Sequence, residues 1–197
     1  MKLSLVKCGV ISLCILLTGC AGTNFVRVAD DALVLGETTS EQITARLGSP
    51  YREGTVTKND QQIKTASYAY ASTGGEAAAE GVTAARSQGF YFFNNKVVGY
   101  EFISSWKEDS TNFDSGKISQ IKKGESTRSD VLRLLGNPGG KYIYPVIPNS
   151  GEDAVNYFYN QTTGSAFNIK FYQKQLVVTF NNQGIVTNVE FTESGKK

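Results

Sequence analysis

Apolar residues follow three different patterns along this chain. The first is a nearly unbroken run, Val10-Ile11-Ser12-Leu13-Cys14-Ile15-Leu16-Leu17, behind Lys2 and Lys7. The second has a helical period. Ile43 and Leu47, and later Val131, Leu134 and Leu135, recur at spacings of three and four residues, which predicts short amphipathic helices. The third is an alternation with period two. Phe90 to Phe93, Asn94-Asn95 and Val97 to Phe102 read as a β-hairpin turning at the asparagines. Leu176 to Phe180, Asn181 to Gly184 and Ile185 to Phe191 repeat that reading, with Ile185, Thr187, Val189 and Phe191 on one face.

The helical segments are copies of one another. Residues 36–50 align without a gap on residues 124–138, and Gly36/Gly124, Glu37/Glu125, Thr39/Thr127, Leu47/Leu135, Gly48/Gly136 and Pro50/Pro138 are identical at a constant offset of 88. Each identity has a physical reason. Thr39 and Thr127 are placed as N-caps, with Gln42 and Asp130 where a capping box returns the bond. Gly48 and Gly136 suit the left-handed position after the last turn, and Pro50 and Pro138 block resumption. Ile118 and Ile121 upstream of Gly124, and Ala32 with Val34 or Leu35 upstream of Gly36, predict a short preceding helix that turns at the glycine, less marked in the first copy.

The expected fold is therefore α+β: two tandem units, each a short αα-hairpin packed on one face of a three- to four-stranded antiparallel sheet. The divisions expected are a leader at 1–19, a tether at 20–31, a first unit at 32–106, a linker at 107–116 and a second unit at 117–193. Ser72 to Gly89 is rich in glycine and alanine, lacks large apolar residues, and reads as a mobile loop or a weak exposed helix, with the loop favoured.

Residues 1–19 have the build of a secretory leader: a basic start, a short apolar core and small residues. Such a core is too short to span a bilayer, which takes about 20 residues. Leu17-Thr18-Gly19-Cys20 resembles a bacterial lipobox, which implies cleavage before Cys20 and lipidation of its sulfur. An ordinary cleavage near Ala21-Gly22 and a retained anchor are the alternatives. The chain has 20 basic and 18 acidic residues; losing Lys2 and Lys7 leaves 18 of each, so the charge of +2 belongs to the leader. A neutral mature chain offers no electrostatic case for nucleic acid.

Cys8 and Cys14 leave with the leader and Cys20 carries lipid, so no disulfide, thiol nucleophile or thiolate metal site is expected. Histidine is absent, which removes the commonest general base and metal ligand. Asp30-Asp31 and Glu152-Asp153 read as solvated loop carboxylates, Gly139-Gly140 as a tight turn, Lys122-Lys123 as a solvated face, and Ser104-Ser105 and Ser126 have no histidine partner for a triad. No catalytic residues, cofactor or metal are expected, and the chain reads as a non-enzyme.

The run Lys117 to Thr127, followed by Val131 and Leu135-Gly136-Asn137-Pro138, resembles the signature of the BamE (SmpA/OmlA) lipoproteins, and here the motif occurs twice behind a lipobox. The resemblance implies an αα-plus-antiparallel-sheet unit shared with the β-lactamase-inhibitor-protein superfamily, in which two such units stand in tandem. It also implies a lipid-anchored protein-binding module, with β-barrel assembly at the outer membrane as that family's setting. Ala21, rather than aspartate, follows the lipidated cysteine, which by the same resemblance points to the periplasmic face of the outer membrane. An inhibitor or immunity-type protein, inserting the Ser72–Gly89 loop into a periplasmic enzyme, is the alternative.

The aromatics offer a partner surface, since the chain has 11 phenylalanines and 10 tyrosines. Tyrosine displayed on a sheet buries much area and keeps a hydroxyl for bonding. Tyr68, Tyr70, Tyr91, Tyr157 and Tyr159, on the sheet face opposite the helices, are the expected contacts for an envelope protein partner. Cross-strand packing and packing between the two copies are the competing use of the same rings.

Overall fold

The computed structural model describes residues 22–164 and 167–196; Cys20 and its leader lie outside the described residues. Two α-helices, α1 (Ser40–Leu47) and α2 (Arg128–Leu135), sit where the capping signals place them. The Gln42 amide donates to Thr39 Oγ1 at 3.4 Å and the Thr39 amide to Gln42 Oε1 at 2.9 Å. The second cap repeats this with Asp130, at 3.2 and 3.0 Å. The shorter acid works because its carboxylate also takes the Thr127 hydroxyl at 2.8 Å. Gly48 and Gly136 end the helices at φ +76° and +78°, a region costly for a residue with a Cβ.

The predicted first helix of each αα-hairpin is corrected to a 3-10 segment, at Asp30–Ala32 and Ser115–Gln120. Both carry i to i+3 bonds, such as Ala32 N to Ala29 O at 3.0 Å and Ile121 N to Ile118 O at 3.0 Å. Too few residues precede each glycine turn to propagate an α-helix, whose nucleation is unfavourable.

Eight antiparallel strands follow one another in chain order: β1 (Arg52–Lys58), β2 (Gln61–Ser72), β3 (Ala84–Phe93), β4 (Lys96–Ser104), β5 (Gly140–Ile143), β6 (Asp153–Thr163), β7 (Lys170–Phe180) and β8 (Val186–Gly195). Asn94 and Asn95, both at positive φ, make the β3–β4 turn, as do Asn59 and Asp60 between β1 and β2. Four strands follow each helix, but they do not form separate sheets. β4 pairs with β5 through Gly99↔Tyr142, Tyr100↔Lys141 and Glu101↔Gly140, so one sheet runs from end to end.

Both helices lie on one face of this sheet, over two apolar clusters. Ile43 of α1 packs with Tyr68, Phe90, Phe92 and Val97; Val131 of α2 packs with Val155, Tyr157, Leu176 and Phe180. Residues 22–31, the described part of the stretch expected to act as a tether, also lie on this face. Gly22 pairs with Tyr70, and buried Gln88 both donates to and accepts from the Val28 backbone at 2.9 Å. The loop at 73–83 is shorter than expected, because β3 already begins at Ala84. It is also tied down, by Thr83 N to Thr162 O at 2.9 Å and Ala78 N to Ser105 O at 2.8 Å. The linker is packed as well: Phe113 is buried and the Thr111 hydroxyl donates to Phe158 O at 2.6 Å.

Candidate functional site

Alternation along the strands sets the other face of the sheet. Tyr91 of β3, Gly99 and Glu101 of β4, Gly140 and Tyr142 of β5, and Asn156 of β6 point away from the helices. Two cross-strand rows meet there. One is Tyr91↔Gly99↔Tyr142↔Ala154, the next Gly89↔Glu101↔Gly140↔Asn156. Gly99 leaves a gap over which the two tyrosines meet edge to face, centroids 5.7 Å apart. A Cβ at Gly99 would lie 2.8 Å from Tyr142 Cδ1. Glu101 has a glycine beside it on each neighbouring strand, so no side chain of its own row fences it until Asn156.

Three donors converge on the half-buried Glu101 carboxylate. Tyr91 donates at 3.2 Å to one oxygen; Tyr142 at 2.5 Å and Asn156 Nδ2 at 3.2 Å donate to the other. Gln175 Nε2 donates to Asn156 Oδ1 at 2.9 Å and holds that amide in place. Burial pushes the Glu101 carboxyl above the usual carboxylate range, opposed by the Tyr142 and Tyr91 hydrogen bonds and by the charge of Lys58. Burial likewise raises both phenols, and the neighbouring Glu101 charge adds to it.

The β5–β6 loop folds over one side of this group. Ile147 packs with Tyr142 and Ala154, with Tyr91, Val146 and Val177 around them, forming a third, small cluster on the face away from the helices. What remains open is a cleft of about 460 Å³, with Glu101, Tyr91 and Tyr142 in its wall, Phe158 and Gln175 beside them, and Lys58, Lys123, Glu152 and Glu190 also lining it.

A larger groove of about 910 Å³ lies on the helix face, between residues 27–30 and α2. Most of its charges are matched within the chain: Arg27 with Asp30 at 2.6 Å, Arg128 with Asp153 at 2.6 Å and Asp109 with Arg86 at 3.4 Å, while Lys141 lines it without an ion pair among the described residues. Arg128 also lies 4.1 Å above the Phe180 ring. Among the described residues no group of three or more histidines, cysteines, aspartates or glutamates could hold a metal ion. No helix there is long and apolar enough to cross a membrane.

Of the five tyrosines expected on the open face, only Tyr91 is there. The face assignment of the other four is corrected. Tyr68 and Tyr157 are buried under α1 and α2, donating to Gly48 O at 3.0 Å and Gly136 O at 2.8 Å. Tyr159 is 2% exposed beside Tyr157's cluster, its hydroxyl donating to Gln161 at 3.1 Å. Half-buried Tyr70 stacks on Trp106 at 5.9 Å on the helix face. Residues i and i+2 share a face, so burying Tyr68 and Tyr157 carried their neighbours with them. Glu101 and Tyr142 were not singled out; the glycines at 89, 99 and 140 around an acid in an apolar strand are the signal that marks the site.

Residues 111–190 match the family model described as the outer membrane protein assembly factor BamE domain. That stretch, from the packed linker through α2 into β8, is BamE-like. The chain is also similar to a solved structure of a proposed beta-lactamase inhibitor protein from Streptococcus mutans, at 15% identity over 79% of this chain and 82% of that one, with a TM-score of 0.39. No curated protein matches it significantly.

Proposed function

We propose that this chain is a non-catalytic protein-binding module of the bacterial envelope, lipidated at Cys20, held at the periplasmic face of the outer membrane and serving outer-membrane protein assembly. The observation that carries the reading is the BamE-domain match over residues 111–190. The recurrence of cap, glycine stop and tyrosine–carbonyl bond around α1 supports reading the first half as a second unit of the same kind. The leader and the lipobox-like Leu-Thr-Gly-Cys support the anchor. Absence of histidine from the whole sequence supports a binding role over an acid–base one.

The open sheet face around Glu101 is the partner surface in this reading. Among the described residues Lys58, Glu101, Lys123, Glu152 and Glu190 of this cleft make no ion pair within the chain, whereas most charges of the helix-face groove do. The test is photo-crosslinking in intact cells, with the crosslinker placed at Lys58, Glu190 or Thr192 and, as a control, at Glu41 on α1. One discrete envelope protein captured from the first three positions supports the reading. Capture from Glu41 alone moves the surface to the helix face. Failure of a fatty-acid analogue to label the wild type, or labelling that survives Cys20→Ser, removes the anchor.

A further inference from the structure

We propose that the Glu101 cleft is a cation pocket that receives a lysine or arginine side chain projected by the protein partner. The source of the cation rests on the protein-binding reading above; the chemistry of the pocket stands on the geometry alone.

Counter-ions point to it first. The half-buried carboxylates on the helix face each have a cation of this chain: Asp30 has Arg27, Asp109 has Arg86 at 3.4 Å, and Asp153 has Arg128. Among the described residues no lysine or arginine makes an ion pair with Glu101, and its three partners are all neutral donors. A carboxylate shielded from water without a counter-charge costs free energy unless something completes it. The chain has a lysine at the same cleft, Lys58, whose charge acts on Glu101 without bonding to it.

Hydrogen-bond capacity points the same way. An ionised carboxylate offers about four acceptor sites, and Tyr91, Tyr142 and Asn156 occupy three. One is left. Both phenols have committed their protons to Glu101, so what they still offer is acceptor oxygen. The pocket therefore lacks a donor, and a cation supplies donor and charge together.

The walls suit a cation too. Tyr91, Tyr142 and Phe158 line the cleft, and aromatic rings attract an ammonium or guanidinium that has lost its water. The glycines beside Glu101 keep the way in clear: a Cβ at Gly89 would come within 3.4 Å of Glu101 Cγ, and one at Gly140 within 3.2 Å of its Cβ. The cleft of about 460 Å³ has room for one basic side chain and the backbone that carries it.

The test uses the full-length chain in detergent micelles, with 13C-labelled tyrosine, titrated with acetyl-Gly-Arg-Gly-amide and acetyl-Gly-Lys-Gly-amide. The control is the citrulline tripeptide, which has the shape of arginine without the charge. A saturable shift of the Tyr91 and Tyr142 ring signals with arginine or lysine, at least tenfold weaker with citrulline and abolished in Glu101→Gln, supports the pocket. No saturable shift with either cation, or an equal response to citrulline, overturns it. The citrulline comparison uses only wild-type protein, so it decides even where Glu101→Gln fails to fold. Phosphoethanolamine binding more tightly than both tripeptides would assign the cleft to a lipid headgroup and overturn the partner side chain. Loss of cation binding with partner crosslinking intact sinks the pocket alone; cation binding without any crosslinked partner sinks the protein-binding reading alone.

Discussion

The Tyr157 hydroxyl donates to the carbonyl of Gly136 at 2.8 Å, pinning a strand of the sheet to the residue that ends α2. Tyr68 and Gly48 form the same pair at 3.0 Å in the other half of the chain. A helix end leaves carbonyls without partners inside the helix, and here a side chain from the sheet supplies one donor just past that end.

Tyr157→Phe should cost about 1 kcal/mol, the net worth of one such bond, and Tyr157→Ala about 3–5 kcal/mol as a cavity opens under α2. Burial pushes the Tyr157 phenol up to about 12 from its ordinary value of 10.0. The unfolded chain therefore loses this proton first, and stability present below pH 10 should fall as pH rises toward 12. Urea unfolding across that range should show a shallower alkaline decline in Tyr157→Phe than in wild type.

Two glycines should respond to alanine for different reasons. At Gly136 a Cβ meets nothing within 4 Å, so Gly136→Ala should cost only the backbone strain of φ +78°, ψ −162°, a conformation nearly reserved for glycine, about 1–3 kcal/mol. At Gly140 a Cβ would lie 2.2 Å from the Tyr100 carbonyl oxygen, and backbone cannot yield as a side chain can. Gly140→Ala should break the β4–β5 pairing. Amide exchange at Tyr100 and Lys141, the hydrogen-bonded pair of that ladder, separates the outcomes: protected in the first variant, fast in the second.

Glu101 should make the protein less stable as pH rises. Its carboxyl is raised in the folded state, so the folded chain holds this proton more tightly than the unfolded one. The contribution is full below about 4.5, the ordinary value, and is lost as pH climbs through the raised one. Glu101→Gln should remove this slope, so that its stability relative to wild type improves as pH rises above 4.5. A slope unchanged by the substitution would place its origin elsewhere.

Gln88→Ala should loosen residues 22–33. The wild-type amide satisfies both the N–H and the C=O of Val28 in a buried setting, and its loss should cost about 1–3 kcal/mol. Exchange at the Val28 amide should accelerate more than exchange at Val131, which belongs to the other core. Equal acceleration at both would mean that the segment unfolds only with the whole protein.

What could be read from the sequence was local. Thr39 with Gln42, Thr127 with Asp130, Gly48, Gly136 and the Asn94-Asn95 turn each depend on residues within four positions, and each stands as expected. What escaped reading depends on distant partners. Nothing near Gly99 announces that it pairs with Tyr142, so one sheet looked like two. Gln88 and Val28 are 60 positions apart, so a docked segment looked like a spacer. The number of tyrosines does not tell display from packing, and the carbonyls of Gly48 and Gly136 that satisfy Tyr68 and Tyr157 come beside them only on folding. Glu101 was visible as an acid in a valine-rich strand, yet its setting comes from β3, β5 and β6.

The pairing of Gly22 with Tyr70 sets the length of a leash. Two residues of chain reach at most about 7 Å, so an acyl group on Cys20, as proposed, would keep the sheet against the headgroups instead of letting it swing freely. Inserting a flexible stretch of glycine and serine between Cys20 and Gly22 would leave every contact described above in place and change only the height and tilt at which the Glu101 face is offered. A partner that meets this face at a fixed distance from the bilayer should lose contact with the lengthened protein, while the same pair mixed in detergent should not notice the difference.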